Sequence, residues 1–195
     1  KCSNTRFDDN SKGNNMNRVK LLALTILTLS TLSIAQAAHA EPLTLTSDAI
    51  AEGQQLDLKH VFQGFGCKGG NLSPALSWSN APEGTKSFAI TVYDPDAPTG
   101  SGWWHWFAFN IPANVNSLAE GIALPEGSIT LKNDYGVLGF GGACPPEGEV
   151  HRYQFTVHAL DQKLDLDSSV SNALAGFMVR ANSIASDTIT AVYNR

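Results

Sequence analysis

Three segments decide what this chain can fold into. Residues 87–93 (SFAITVY), 103–111 (WWHWFAFNI) and 151–160 (HRYQFTVHAL) are rich in aromatic and β-branched side chains and are bounded by Gly, Pro and Asp. Side chains of that kind pack well on a pleated surface, so each segment is predicted to be a strand. LTLT near residue 45, ALSWS (75–79), SITL (128–131) and TITAVY near the end are weaker strand candidates. Helical spacing is found over 168–185, where Val170, Leu174, Phe177, Met178 and Ile184 roughly follow a 3.6-residue period and Ser168 or Ser169 can cap the start. Six or seven strands and one late helix predict a mainly β domain, a Greek-key antiparallel sheet or sandwich.

Period-2 alternation then distributes the polar residues. Phe88, Ile90 and Val92 share a face, and Asp94 has the same parity where the strand ends. Phe107, Phe109 and Ile111 share a face with His105 at the start of their strand, and Phe155 and Val157 share one with Tyr153 and His151. A loop of about nine residues joins the first two strands, which makes them antiparallel neighbours. Asp94 and His105 therefore meet at one rim, and His151 joins them if its strand runs the same way as 103–111. Taken singly, each feature has a plainer meaning: a core histidine, a proline turn, a glycine-rich loop. Convergence of three segments on one rim favours a pocket with an apolar floor and a polar mouth.

The start of the chain reads as a leader. Met16 opens a short basic region, an apolar run follows (LLALTILTLSTLSI), and Ala38 and Ala40 supply the small residues of a cleavage site. That is the pattern of a secretory signal peptide over 16–40, cleaved near Ala40, with 1–15 as upstream sequence and a single domain over 41–195. The expected location is periplasmic or secreted, with no membrane span in the mature form. Eight Lys and Arg remain against sixteen Asp and Glu in 41–195. An acidic domain without a basic run argues against nucleic acid as a partner.

Cys67 and Cys144 are the two cysteines of that domain. In an oxidising compartment an even count reads first as one disulfide, with a zinc pair as the rival reading; neither cysteine has a second ligand at zinc spacing. A hydrolase built on Asp94 and His105 would need a nucleophile, and Cys144 and Ser101 are the candidates. Ser101 lies in a connecting loop, not in a strained elbow. His105, His151 and Asp94 have the residue types of a metal site but no close-spaced histidine pair, so neither a metal nor another cofactor is expected.

The sequence resembles the phosphatidylethanolamine-binding protein family, in particular its bacterial Raf-kinase-inhibitor-like branch with a signal peptide. The motifs that carry the likeness are DPDAP (94–98), HWFAFNIP (105–112), GGACPP (141–146) and HRYQFTVHAL (151–160), with GNLSPALSW (70–78) before them. The resemblance implies a Greek-key β fold with a small anion-binding pocket at one edge of the sheet; the residue types at that pocket suit a binding protein, with an Asp–His hydrolase as the lesser alternative. Its pocket residues fall on Asp94, His105, His151 and Tyr153, with a backbone contact from 142–144, that is Gly142 and Cys144. Asp96 and Pro98 would support the turn, and the cis peptide often found in the family would fall at Ala97–Pro98. Two departures stand out: the loop between Asp96 and His105 is shorter than in animal members, and Cys144 replaces a glycine common there. The implied partner is a small anionic or phosphate-bearing ligand, with a protein partner outside the cytoplasm as the alternative. The kinases that animal members bind are cytosolic, so an exported bacterial protein does not meet them in its own cell.

Overall fold

The computed structural model describes residues 41–195; the expected leader, signal peptide and cleavage site lie outside them. In chain order the elements are β1 (Thr44–Thr46), β2 (Gln63–Gly64), β3 (Cys67–Lys68), β4 (Leu76–Ser79), β5 (Ser87–Asp94), β6 (Trp103–Pro112), β7 (Ser117–Leu118), β8 (Ile129–Thr130), β9 (Val150–Leu160), α1 (Asn172–Asn182) and β10 (Ser183–Asn194). The main sheet has the order β10-β9-β5-β6-β8 and is antiparallel throughout. A smaller sheet, β1-β4-β7, packs against one face, and β2 and β3 form a separate hairpin. The described residues are thus mainly β, with antiparallel sheets and one late α-helix, as the sequence pattern predicts.

β5 is the central strand, and its near-continuous apolar run reflects burial on both faces. Phe88, Ile90 and Val92 face the small sheet, where Leu45, Trp78 and Leu118 complete the larger core. Ala89 faces the other way and joins Phe107, Phe109, Leu160 and Leu164 under α1.

β6 departs from simple alternation. Its pairing with β5 slips twice, between Phe88 and Ile90 and between Val92 and Tyr93, and each slip gives β6 one extra residue. Asn110, at φ 58°, lies within the first bulge, and a short amide side chain tolerates that left-handed backbone. As a result Phe107 and Phe109 face α1, whereas Ile111 and Trp106 face the small sheet. The expected common face for His105, Phe107, Phe109 and Ile111 is therefore incorrect.

The helix is also shorter than its periodicity suggests. It ends at Asn182, because residues from Ser183 onward pair with β9 along its whole length, from Ser183 opposite Leu160 to Asn194 opposite Val150. Ala175 and Val179 are its buried residues, while Leu174 and Phe177 are exposed. Gly176 lies over Trp104 and Phe107, so small residues at 175 and 176 set the close contact with the sheet. The cap is Ser171, not Ser168 or Ser169; its hydroxyl accepts from the Leu174 N–H at 3.2 Å. Ser171→Ala should lower stability by about 1 kcal/mol. Hydrogen exchange should show the loss concentrated in the first turn of α1.

Candidate functional site

β6 and β9 flank β5 on opposite sides and both run antiparallel to it, so both begin at the rim where β5 ends. Asp94 closes β5 opposite Trp103, and Tyr93 lies opposite Gln154. The second bulge of β6 is what brings His105 into this corner. With Tyr93 opposite Trp104 and Val92 opposite Trp106, the extra residue turns His105 to the small-sheet side, where its ring meets Tyr153 at 5.0 Å. Re-aiming one side chain is what a bulge at a sheet rim does.

Asp94, His105 and His151 line one cleft of about 310 Å³ together with Phe65, Trp103, Tyr135, Pro98 and Arg195. Tyr135 anchors the aromatic wall: it stacks on Phe62 at 3.8 Å and meets Trp103 edge-on at 5.1 Å and His105 at 5.5 Å.

Hydrogen bonds fix the floor. Asp94 Oδ1 accepts from the Asp96 and Ala97 N–H groups (2.8 and 3.1 Å), and Oδ2 takes the His151 Nδ1–H at 2.7 Å. Glu149 Oε2 lies 2.9 Å from the other nitrogen of His151. A carboxylate on each side makes His151 a cation that donates from both nitrogens. Burial opposes that charge, but the bonds to Glu149 and Asp94 outweigh it and raise its pKa above the ordinary histidine value. His105 is the opposite case. Burial pushes its pKa down, and only the Gly141 and Gly142 carbonyls and the more distant Asp94 and Asp134 charges pull it up. Its Nδ1 faces those two carbonyls at 2.8 and 3.1 Å.

The turn that carries Asp94 is tied to β9. Asp96 accepts from Arg152 three times, from its backbone N–H, Nε and Nη2, at 2.9, 2.9 and 2.6 Å. The guanidinium holds the Asp96 pKa at about 2.

Two expected pocket residues are placed differently. Tyr153 does not line the cleft; it is buried behind His105, and its hydroxyl approaches the Cys144 backbone without an ordinary hydrogen bond. Gly142 does not line it either. Its N–H goes to Asn71 Oδ1 at 2.7 Å, and its carbonyl accepts from His105 and from the Tyr135 hydroxyl. A Cβ there would stand 2.4 Å from the His60 carbonyl oxygen, so this loop needs a glycine for close approach. Cys144 does line the cleft and is bonded to Cys67. The residues that sequence reasoning missed are Phe65, Tyr135, Glu149 and Arg195. Phe65, Tyr135 and Arg195 come from loops or the chain end, where no strand parity marks them. Glu149 was within reach, two residues before His151 in the same segment.

Among the described residues no group of three or more His, Cys, Asp and Glu side chains is arranged to hold a metal. His151 has no lone pair to offer one, since both ring nitrogens face carboxylates. No described helix is long and apolar enough to cross a membrane.

A sequence model of the phosphatidylethanolamine-binding protein family matches residues 46–194. The chain is similar to the UPF0098 protein YbcL of Escherichia coli K12, 54% identical over 181 residues, covering 89% of this chain and 97% of YbcL. It is 48% identical over 158 residues to YbhB of the same organism, covering 78% of this chain and 100% of YbhB. The crystal structure of E. coli YbcL, a new member of the mammalian PEBP family, matches with a TM-score of 0.77 at 55% identity, over 80% of this chain and 99% of that one.

Proposed function

This chain belongs to the phosphatidylethanolamine-binding protein family, and on that premise we propose that it is an exported, Raf-kinase-inhibitor-like binding protein whose cleft takes a small phosphate-bearing headgroup. The observation that carries the proposal is the convergence of Asp94, His105 and His151, from three strands, on one aromatic-walled cleft. At about 310 Å³ the cleft is at the lower end of ligand-pocket sizes, which suits a headgroup and not a whole lipid. Arg195 at the rim is a donor that can meet phosphate oxygens. Export is supported by the basic, apolar and small-residue pattern of residues 16–40.

Binding fits better than hydrolysis. The sulfur of Cys144 is engaged with Cys67, and Ser101 belongs to a different hollow beside the start of α1. One observation favours a second reading, a protein-docking surface: Phe65 is 71% exposed at the rim and holds a left-handed backbone at φ 54°.

Titrating inorganic phosphate and O-phosphorylethanolamine into wild type and His105→Ala tests the proposal. The variant should bind at least tenfold more weakly while keeping the wild-type circular dichroism spectrum. Equal affinity in both proteins would remove the cleft as the phosphate site and leave the docking surface.

A further inference from the structure

The unspent atom in the cleft is one nitrogen of His105. Carbonyl oxygens only accept, so the ring nitrogen facing Gly141 O at 2.8 Å and Gly142 O at 3.1 Å must carry a hydrogen. In the neutral ring Nε2 is then a bare lone pair. It has no partner among the described residues and, unlike the sealed Nε2 of His60, is left open on a residue that lines the cleft.

The other groups around it do not supply a proton. Asp94, on β5, is an acceptor whose oxygens are already engaged, and both N–H groups of His151, on β9, are committed to carboxylates. Asp94, His151 and Glu149 together hold two negative charges against one positive. Tyr135 directs its hydroxyl to Gly142 O, Tyr153 lies behind the ring, and Asp134 adds a more distant negative charge. Arg195 is the cation at the rim, shared with Glu147 at 3.0 Å. A fully ionised anion placed here would set its own lone pairs against Nε2 and its charge against this acidic group.

Resting on the phosphate-headgroup reading above, we propose that the cleft selects a phosphate that still carries a proton, a monoester or free phosphate as its monoanion, with the P–OH donating to His105 Nε2. Phosphodiesters and sulfate, which have no proton to give at neutral pH, are discriminated against. The low pKa of His105 agrees with an imidazole that accepts.

Calorimetry on the purified protein at pH 5.5 and pH 8 separates the possibilities. The probes are inorganic phosphate, O-phosphorylethanolamine, glycerophosphorylethanolamine and sulfate. The second ionisation of a phosphate monoester lies at about pH 6, so the monoester should bind tenfold or more tightly at pH 5.5 than at pH 8; inorganic phosphate, which keeps its second proton to higher pH, should weaken in the same direction but by less. At pH 5.5 they should also exceed the diester and sulfate by tenfold or more. The diester stands for an intact phospholipid headgroup and the monoester for its free form, so the two sources are read apart. Diester and sulfate affinities equal to those of the monoester at pH 5.5 would mean that a protonated His105 binds any anion; proton selection would be overturned and the phosphate-headgroup reading kept. Monoester binding that is unchanged between the two pH values overturns proton selection as well. If no probe binds at either pH, both readings fall.

Discussion

Asp94→Ala should unfold about 3–5 kcal/mol more easily than wild type, the cost of breaking a buried charge pair by removing one partner. The Asp94 side chain is almost fully covered and serves three donors at once: the Asp96 and Ala97 N–H groups and His151. Its loss orphans two backbone donors in the turn and leaves a covered imidazolium with Glu149 alone, which is half exposed and screened by water. Asp94→Asn separates the two effects, since the amide oxygen can still accept from the turn but the charge opposite His151 is gone. The pH dependence follows from the raised pKa of His151. The group binds its proton more tightly folded than unfolded, so its contribution is complete below about pH 6.5, the unfolded value. It is lost as pH rises through the folded pKa. Wild type should lose stability on that alkaline side, and Asp94→Asn should lose less of it. Asp96 acts with the opposite sign: its lowered pKa gives a contribution present above pH 3.8 and lost as pH falls towards 2. Urea midpoints measured between pH 2 and 9 report both. A midpoint for Asp94→Ala equal to that of wild type would mean that the carboxylate does not hold this corner together.

The same corner shows which parts of the site were legible in the sequence. Parity alone places Asp94, because β5 keeps strict alternation over Phe88, Ile90 and Val92. It also places His151 on the correct side of β9, and the antiparallel pairing of β5 with both neighbours brings the three strand ends together. His105 reaches the predicted place for a different reason. Simple alternation would have carried it to the α1 side with Phe107, and a one-residue bulge returns it to the cleft. Alternation counts residues along one strand, whereas a bulge is a property of two strands in register. Tyr153 has the right parity but the wrong depth, since parity gives a side and not a distance from the rim. The end of α1 was hidden for a related reason. Residues 183–185 can continue a helical pattern, and only the ladder to β9, a non-local interaction, makes them strand.

Breaking the Cys67–Cys144 bond should give the other large effect. The two residues are 77 positions apart, and in the chain-entropy model closing a loop of that length contributes about 4.5 kcal/mol by restricting the unfolded chain. For a domain of this size that corresponds to a fall in Tm of roughly 10–15 °C. The native geometry does not depend on the bond alone. Phe62 N–H donates to Ala143 O at 2.9 Å, Ala143 N–H donates to His60 O at 3.2 Å, and Val61 and Ala143 are bridged in parallel. These contacts hold the segment after β1 against the glycine-rich loop whether or not the sulfurs are joined. Arg195 lies across the bond, with Nη1 3.1 Å from Cys67 Sγ and 3.4 Å from Cys144 Sγ, and its contact with Glu147 survives as well. Replacing both cysteines by alanine should therefore lower Tm steeply and leave the folded state recognisable, with near-ultraviolet circular dichroism unchanged below the transition. Phosphate affinity should change far less than stability, because His105 is positioned by Gly141 and Gly142 and not by the sulfurs. Calorimetric melting of the double variant beside wild type, each with and without a dithiol reductant, checks the assignment. Wild type should move towards the double variant on reduction, and the variant should not respond. A double variant melting within a degree or two of oxidised wild type would mean that the unfolded chain is already as restricted without the bond, and the loop-closure account would fail.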